Sequence, residues 1–179
     1  MKRNQQLAAR LKAVKLLLCD VDGVMTEGSV FFSSSGAEIK QFNIQDGLGL
    51  VLLRRAGIKI GWISSRPSRV TALRARELKI TFLVQQKDRI SKAQAIEKIL
   101  AREKLAWDEV CYLGDDIVDL GPLKKAAVGV AVANAVAEAR AAADLVTKAA
   151  GGGGAVREIV EMILKAQDKW DAIVAHYSE

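Results

Sequence analysis

Histidine, cysteine and aromatic residues are scarce in this chain of 179 residues. The one histidine, His176, lies close to the end of the sequence, which argues against imidazole-based hydrolysis and against a zinc site built on histidines. The two cysteines, Cys19 and Cys111, form no CxxC pair and lie in apolar runs. We therefore expect buried thiols in a reducing compartment, the cytoplasm.

Aromatic residues make up 5% of the chain, and no nucleic-acid-binding motif accompanies its net charge of +6. We interpret the excess of lysine and arginine as a solvated basic surface or as attraction for an anionic small molecule. No apolar run approaches the ~18 residues that a membrane helix needs, and the segment after Lys2 and Arg3 lacks the apolar core of a signal peptide. The sequence predicts neither a nucleic acid nor a membrane as a partner.

Short apolar runs alternate with longer helical patterns along the chain. Strand candidates cover residues 14–20, 58–64, 80–84, 109–114, 128–132 and 144–147. Helix candidates cover residues 46–57, 67–79, 91–104, 134–143 and 155–177. Alternation of this kind predicts a mainly parallel sheet between two helical layers, a Rossmann-like three-layer α/β/α fold. The length fits one domain over residues 1–179.

Two segments depart from this alternation. Residues 28–44 read as strand, polar turn with Gly36 and strand, which predicts a β-hairpin flap directly after the first strand. Four glycines at 151–154 precede the last helical pattern. They form either a flexible linker or a loop whose backbone closely approaches a ligand or another chain. We expect the C-terminal helical tail, residues 155–179, to pack on the outside or against a partner chain.

Polar residues follow the predicted strands at the edge where an open parallel sheet places its ligands. Asp20 and Asp22 follow the first strand in the stretch LCDVDGVMT, and Lys92 opens the helix after the third strand. The remaining candidates follow the second and fourth strands: Ser64, Ser65, Arg66, Asp115, Asp116 and Asp119. Clustered carboxylates repel one another and favour a hard cation with oxygen ligands, Mg²⁺ above zinc or copper.

Such a magnesium site is the usual partner of a phosphate group, whose oxygens Lys92, Ser64 and Arg66 can bind. A carboxylate beside Mg²⁺ can attack phosphorus, and a second carboxyl two residues on can protonate the leaving alcohol and then activate water. Each feature alone has an ordinary interpretation, since acids and serines cap helices and a helix lysine is usually solvated. Their joint placement at successive strand ends favours phosphoryl transfer.

The stretches DVDGVMT, WISSR with Ser64, Lys92, and GDDIVD resemble the four motifs of the haloacid dehalogenase superfamily of phosphohydrolases. The resemblance implies Mg²⁺ as cofactor and a phosphoaspartate intermediate. It makes Asp20 the nucleophile and a metal ligand, and Asp22 the general acid and base, with its main-chain carbonyl on Mg²⁺. It assigns phosphoryl binding to Ser64, charge balance to Lys92, metal ligation to Asp115, and support, through water or by holding Lys92, to Asp116 and Asp119.

A narrower resemblance covers residues 20–49 and 150–158, which look like a small branch of sugar-acid phosphatases that act on 3-deoxy-D-manno-octulosonate 8-phosphate. Members of this branch lack a large cap domain and form tetramers in which the hairpin and neighbouring chains cover the active site. Its FNxxDGxG stretch implies that Asp46 and Gly47 lie near the substrate. Its GGxGAVRE stretch implies that the tail lies close to an active site, its own or a neighbour's. Candidate partners of a substrate carboxylate are Arg66, Arg69 and Arg157.

The chain departs from the family pattern at two places. Ser65 stands where relatives commonly have a glycine, and the third motif, usually a compact QGxxDK, here reads VQQKDRISK over residues 84–92. We take Lys92 as the motif lysine because KAQAIEKIL aligns as the start of a helix, with Lys87 as the alternative.

The resemblance implies a cytoplasmic, homotetrameric, Mg²⁺-dependent phosphatase of a sugar-acid phosphate, most directly 3-deoxy-D-manno-octulosonate 8-phosphate on the way to lipopolysaccharide. The positive net charge fits a substrate with both a phosphate and a carboxylate. The alternatives are a phosphatase of sialic-type 9-phosphates, a phosphatase that serves a cytidylyltransferase, and a non-enzymatic binding protein of the same fold.

Overall fold

The computed structural model describes residues 2–85 and 91–178. Its strands are β1 Leu16–Cys19, β2 Phe31–Phe32, β3 Glu38–Ile39, β4 Lys59–Ser64, β5 Phe82–Gln85, β6 Val110–Gly114, β7 Val128–Ala131 and β8 Leu145–Val146. Its α-helices are α1 Lys2–Ala13, α2 Ile44–Arg55, α3 Arg69–Leu78, α4 Lys92–Glu103, α5 Leu120–Lys125, α6 Ala137–Ala142, α7 Ala155–Ala166 and α8 Trp170–His176. A short 3₁₀ turn, Ile117–Asp119, follows β6.

Six strands form one parallel sheet in the order β5-β4-β1-β6-β7-β8. Within it Cys19 of β1 is paired with Trp62 of β4 and with Leu113 of β6. Crossovers between parallel strands are right-handed, and the chain reverses its direction across the sheet after β5. Consequently α2 and α3 pack on one face, and α4, α5 and α6 pack on the other. This arrangement is the predicted α/β/α fold, and it brings the carboxyl ends of β1, β4 and β6 to the same edge.

The sheet forms the centre of the apolar core. Every residue of β1 is buried, and Trp62 and Tyr112 are the largest fully buried side chains. Strands covered by helices on both faces need apolar side chains on both sides, which explains the uninterrupted run LLLC. A fully buried leucine contributes about 1.5–3 kcal/mol to stability. The polar residues that follow these strands are therefore attached to a rigid frame.

The C-terminal pattern forms two helices because Asp168 has a left-handed φ of 58° between α7 and α8. Helix α7 packs against α1 and α2, and its apolar residues, including Ile159 and Ile163, are fully buried. The expectation that the whole tail packs on the outside is therefore wrong for α7. Apolar residues three and four apart form a stripe on α7, and burying that stripe completes the core. Helix α8 has no buried residue.

Further differences from the predicted helices include α1 and the start of α3. The α1 segment was not predicted to be helical, yet its Leu11 enters the core. Helix α3 begins after Ser68, whose side chain accepts a hydrogen bond from the Thr71 amide at 3.2 Å, so Pro67 precedes the cap and does not occupy the first turn. Among the described residues, no helix combines the length and apolarity of a membrane span.

The predicted hairpin flap is present, with strands of only two residues each. Phe31 is paired with Ile39 in antiparallel register, and Gly36, with φ of 79°, lies in the turn. A positive φ is strained for residues other than glycine. The apolar side chains of Phe31, Phe32 and Ile39 are more than half exposed.

Candidate active site

Three carboxylates meet at the sheet edge and form what we call the carboxylate cluster: Asp20, Asp115 and Asp119. Each can contribute one oxygen to a set whose members lie within 4.8 Å of one another. Asp20 follows β1, Asp115 follows β6, and Asp119 ends the 3₁₀ turn. Because β1 and β6 are parallel neighbours, the residues that follow them are forced together. An oxygen set of this spacing suits a hard divalent cation.

Asp119 uses both of its oxygens within the protein. Its Oδ1 accepts hydrogen bonds from Lys92 Nζ at 2.7 Å and from the Tyr112 hydroxyl at 2.5 Å. Its Oδ2 accepts from the amides of Asp115 at 3.0 Å and Asp116 at 3.2 Å. The carboxylate is completely buried. Asp119 therefore holds both Lys92 and the backbone that carries Asp115.

Lys92 is the first residue of α4 and is buried between two acids. Its Nζ lies 2.8 Å from Asp20 Oδ1 and 2.7 Å from Asp119 Oδ1. Ser91 fixes this helix start with a capping box in which Gln94 returns the hydrogen bond. Burial by itself lowers the pKa of Lys92, but the charges of Asp20 and Asp119 raise it above its usual value. Lys92 is thus held as a cation, whereas Lys87 lies outside the described residues.

The other two acids of the carboxylate cluster, Asp20 and Asp115, have raised pKa values. Burial raises the pKa of Asp20 to about 6, against the opposing effect of Lys92. Burial, followed by the charges of Asp20 and Asp119, raises the pKa of Asp115 to about 8. In addition, Asp115 Oδ1 is buried with no hydrogen-bond partner among the described residues. Excess negative charge and an unpartnered buried carboxylate oxygen are features that a divalent cation would satisfy.

Gly23 gives Asp115 the space that it occupies. A Cβ on Gly23 would lie 2.0 Å from Asp115 Oδ2, and the φ of 95° already favours glycine. The glycine run packs against the same loop, because the Gly152 amide donates to Val24 O at 2.9 Å and a Cβ on Gly151 would lie 1.7 Å from Gly23 O. The run is therefore a close-approach loop within this chain and not a flexible linker.

Asp22 lies beside the carboxylate cluster but is not part of it. Its carboxylate is ion-paired with Lys40 Nζ at 2.5 Å and with Arg66 Nε at 3.5 Å. A cavity of about 280 Å³ brings Asp22 together with Asp20 and four other predicted site residues. The cavity is lined by Asp20, Asp22, Val30, Ser64, Ser65, Arg66, Lys92 and Val118.

The serines and Asp116 complete the site. Ser64 Oγ accepts from the Arg66 amide at 3.1 Å and so closes the turn after β4, while Ser65 is exposed at the cavity. The Asp116 carboxylate accepts from the Ile117 amide at 2.6 Å and caps its own turn. No hydrogen bond or ion pair joins Asp116 to Lys92 in the described part of the chain.

Three predicted site residues lie away from both this cavity and the carboxylate cluster. Asp46 is completely buried and caps α7, since it accepts from the amides of Arg157 at 2.7 Å and Gly154 at 3.2 Å. Gly47 packs against Arg74, whose Nη2 would lie 2.6 Å from an added Cβ. The Arg157 side chain pairs with Glu161 at 2.9 Å. Within one chain Asp46 joins α2 to α7, Gly47 packs against α3, and none of the three residues lines this cavity.

Three residues outside the predicted set contact site residues: Lys40, Glu38 and Tyr112. Lys40 reaches Asp22, Glu38 is ion-paired with Arg66, and Tyr112 donates to Asp119. The available signal was the segment EIK, in which two charges flank an isoleucine. Alternation in extended chain puts Glu38 and Lys40 on the same side. Tyr112 lies within an apolar strand, where the sequence does not mark it as a site residue.

Comparison with known proteins identifies relatives over most of the chain. The model of the haloacid dehalogenase-like hydrolase family matches residues 64–159. The 3-deoxy-D-manno-octulosonate 8-phosphate phosphatase of Yersinia pestis is 38% identical over 160 residues, which are 89% of this chain and 84% of that protein.

Two solved structures show the same fold. The 3-deoxy-D-manno-octulosonate 8-phosphate phosphatase of Moraxella catarrhalis, crystallised with a magnesium ion, a phosphate ion and KDO, is 37% identical with a TM-score of 0.93, over 97% of this chain and 98% of that chain. The cobalt-bound phosphatase of Haemophilus influenzae is 34% identical with a TM-score of 0.86, over 91% and 94% of the two chains. With four motifs at one sheet edge and relatives of this similarity, the chain belongs to the haloacid dehalogenase-like hydrolases.

Proposed function

We propose that this protein is a Mg²⁺-dependent phosphatase that hydrolyses 3-deoxy-D-manno-octulosonate 8-phosphate to 3-deoxy-D-manno-octulosonate and phosphate. The observation that carries the proposal is the pairing of Asp20 with the buried cation Lys92, beside Asp115, whose Oδ1 has no partner within residues 2–85 and 91–178. The substrate follows from similarity, since the Moraxella catarrhalis relative was crystallised with magnesium, phosphate and KDO. The chain would act as a single phosphatase domain.

Asp20 would be the nucleophile. One of its carboxylate oxygens attacks phosphorus, the bond from phosphorus to the sugar oxygen breaks, and a phosphoaspartate forms. Asp22 donates a proton to the departing sugar oxygen. Water then attacks phosphorus and passes its proton to Asp22, and the bond to Asp20 breaks to release phosphate. Each step uses a group that lines the same cavity.

Asp20, Asp115 and the main-chain carbonyl of Asp22 would hold Mg²⁺, which supplies positive charge for the phosphate oxygens and for the acids around them. Lys92, Ser64, Ser65 and Arg66 would surround the phosphoryl group. Arg66 and Arg69 are the candidate partners for the substrate carboxylate, because the first lines the cavity and the second is exposed at the start of α3.

We also propose a cytoplasmic homotetramer in which hairpin flaps and tails of neighbouring chains cover the active sites. The hairpin exposes Phe31, Phe32 and Ile39, and exposed apolar patches mark interaction surfaces. Burial of these side chains between subunits would also exclude water from an otherwise open cavity. Light scattering tests this assembly, and a fully active monomer at micromolar concentration would contradict it.

A phosphatase screen with Mg²⁺ over sugar-acid phosphates tests the activity, with Asp20→Asn as the blank. We expect turnover of the 8-phosphate substrate, lost in the blank and in EDTA. Preference for a nine-carbon sialic-type 9-phosphate would change the substrate but not the chemistry. Absence of turnover on every phosphate ester would contradict the proposal and favour a binding protein.

The same assay separates the two lysine assignments. We expect Lys92→Ala to abolish turnover because Lys92 contacts Asp20, and Lys87→Ala to retain it. The reverse outcome would assign the motif lysine to Lys87.

A further inference from the structure

Lys40 is a buried lysine that points from the hairpin into the site. It directly follows β3, and its side chain is completely shielded from solvent. Its Nζ lies 2.5 Å from Asp22 Oδ1, 3.2 Å from Thr71 Oγ1 and 3.9 Å from Glu38 Oε1. Burying an ammonium group is costly unless it is paired. The position of Lys40 is therefore set by its partners, and the nearest of them is Asp22.

Glu38 provides a second attachment of the hairpin at the same place. Its carboxylate is ion-paired with Arg66 and accepts from Ser68 Oγ at 2.5 Å. Burial tends to raise the pKa of Glu38, but the hydrogen bonds from Ser68 and Arg66 lower it below its usual value, with help from Lys40. The base of the hairpin is thus bound to the loop after β4 and to the start of α3.

The two faces of β3 have opposite character. Glu38 and Lys40 point toward Asp22 and Arg66, while Ile39 between them is 57% exposed. This division follows from the two-residue period of a strand. The inner side of β3 and its end therefore faces the active site with charged groups.

The orientation of the Asp22 carboxylate depends on this contact. Lys40 is paired with Oδ1 of Asp22 and Arg66 with Oδ2. Within residues 2–85 and 91–178, no other side chain or amide forms a hydrogen bond or ion pair with this carboxylate. Arg66 is itself held by Glu38 of the hairpin. Lys40 follows β3, and Arg66 is held by Glu38 of β3, so the hairpin positions both groups that contact the Asp22 carboxylate.

We propose that Lys40 is a positioning residue that holds the Asp22 carboxylate in place for proton transfer, so that acid–base chemistry requires the hairpin base to be docked. The inference rests on the proposed phosphatase activity. A general acid acts only within hydrogen-bond reach of the leaving oxygen. Without Lys40, Asp22 keeps only the longer contact with Arg66 and can turn away.

The two half-reactions separate this role from a general loss of structure. A sugar alkoxide must receive a proton from Asp22 as its bond to phosphorus breaks, whereas p-nitrophenolate is stable without one. Attack of Asp20 on p-nitrophenyl phosphate therefore does not need Asp22. Hydrolysis of the phosphoaspartate does, because the attacking water must give a proton to Asp22. A misplaced Asp22 predicts fast release of one nitrophenolate per enzyme, followed by slow turnover.

The experiment compares Lys40→Met with Lys59→Met in full-length protein with Mg²⁺. Lys59 forms a 2.6 Å pair with Glu103 and begins β4, at the opposite end of the strand from Ser64, so its loss is a matched control. We expect Lys40→Met to lower kcat on the sugar-acid phosphate by about tenfold or more and to show a nitrophenolate burst in rapid mixing. We expect Lys59→Met to behave as the wild type, and Lys40→Arg to recover part of the lost turnover.

Three outcomes would overturn the assignment. These are wild-type kinetics in Lys40→Met, an equal loss on both substrates without a burst, or a nitrophenolate burst of the same size in Lys59→Met. Thermal unfolding verifies that Lys40→Met is folded. If it is not, Thr71→Val removes one partner of Lys40 with little change in volume and must show the same burst in weaker form. A wild type that hydrolyses no phosphate ester overturns the proposed function and this inference together, whereas an active wild type with an unaffected Lys40→Met overturns the inference alone.

Discussion

Asp20 and Asp46 are both buried aspartates, and burial raises the pKa of each, yet their surroundings differ in kind. Asp20 lines the cavity and lies beside Lys92 and the other two acids of the carboxylate cluster, so its charge depends on groups that a ligand can replace or complement. Asp46 accepts hydrogen bonds from backbone amides at the start of α7, which oppose the effect of burial. Burial alone therefore does not identify a catalytic acid. The chemical nature of the partners does.

The strongest test of this difference is Asp20→Asn, which removes the nucleophile but preserves its shape. We expect turnover to fall by about 1,000-fold or more, because loss of a covalent nucleophile leaves only binding effects. Thermal unfolding should show a folded protein, since one of several mutually repelling acids is neutralised. Substantial residual turnover would contradict the assignment of Asp20 as the nucleophile.

A glycine lies close to each of the two aspartates, Gly23 near Asp20 and Gly47 next to Asp46. Gly23→Ala and Gly47→Ala are therefore a matched pair of variants. An alanine at 23 would collide with the Asp115 carboxylate, whereas at 47 it would meet the flexible end of Arg74 and lie at ordinary contact distance from Leu78. We expect Gly23→Ala to weaken Mg²⁺ affinity by about tenfold or more, the scale of losing ligand geometry. Gly47→Ala should leave it unchanged. Calorimetric titration of Mg²⁺ measures both, and equal affinities would refute the geometric role of Gly23.

Asp46→Asn tests the structural side of the comparison. The amide keeps one acceptor for the α7 amides but loses the charge, so we expect the free energy of unfolding to fall by about 1–2 kcal/mol. The kcat of the folded protein should stay close to the wild-type value. Urea unfolding and steady-state kinetics provide the two readouts. A large loss of kcat with unchanged stability would instead favour the sequence-based expectation that Asp46 lies near the substrate.

The smallest expected effect concerns pH. Because the pKa values of Asp20 and Asp115 are raised to about 6 and about 8, the metal-free folded protein retains protons that the unfolded chain has lost. Its stability therefore declines as pH rises from the ordinary carboxyl range through these values. Mg²⁺ binds the deprotonated form, so its stabilising effect grows over the same range.

We expect the rise in Tm caused by Mg²⁺ to be a few degrees larger near pH 8.5 than near pH 6, as measured by thermal unfolding with Mg²⁺ and with EDTA. Asp115→Asn should remove most of this difference. Identical Mg²⁺ shifts at the two pH values in the wild type would contradict a metal site that includes Asp115.

Most of the architecture and the central acids of the site could be predicted from local patterns in the sequence. The run LLLC required burial on both faces, and the acids after it had no place in a core, so Asp20 and Asp115 could be identified as partners from their placement at strand ends together with the family resemblance. The family resemblance implied that Asp116 and Asp119 act through water or by holding Lys92, and the structure shows Asp119 in contact with Lys92.

The roles of the glycine run, Asp46 and α7 could not be obtained in this way. The four glycines are compatible with any loop, and only packing shows that Gly151 lies against Gly23. The same holds for Lys40, which in the sequence is one lysine among many.

The sequence by itself determined the parallel sheet, the edge at which ligands bind and the acids placed there, because each follows from residue type and short-range period. The tertiary structure alone decided which charges meet across elements distant in the chain. Lys40 reaches Asp22 and Asp46 caps α7 through contacts that depend on how whole helices and strands pack, and no local period specifies them.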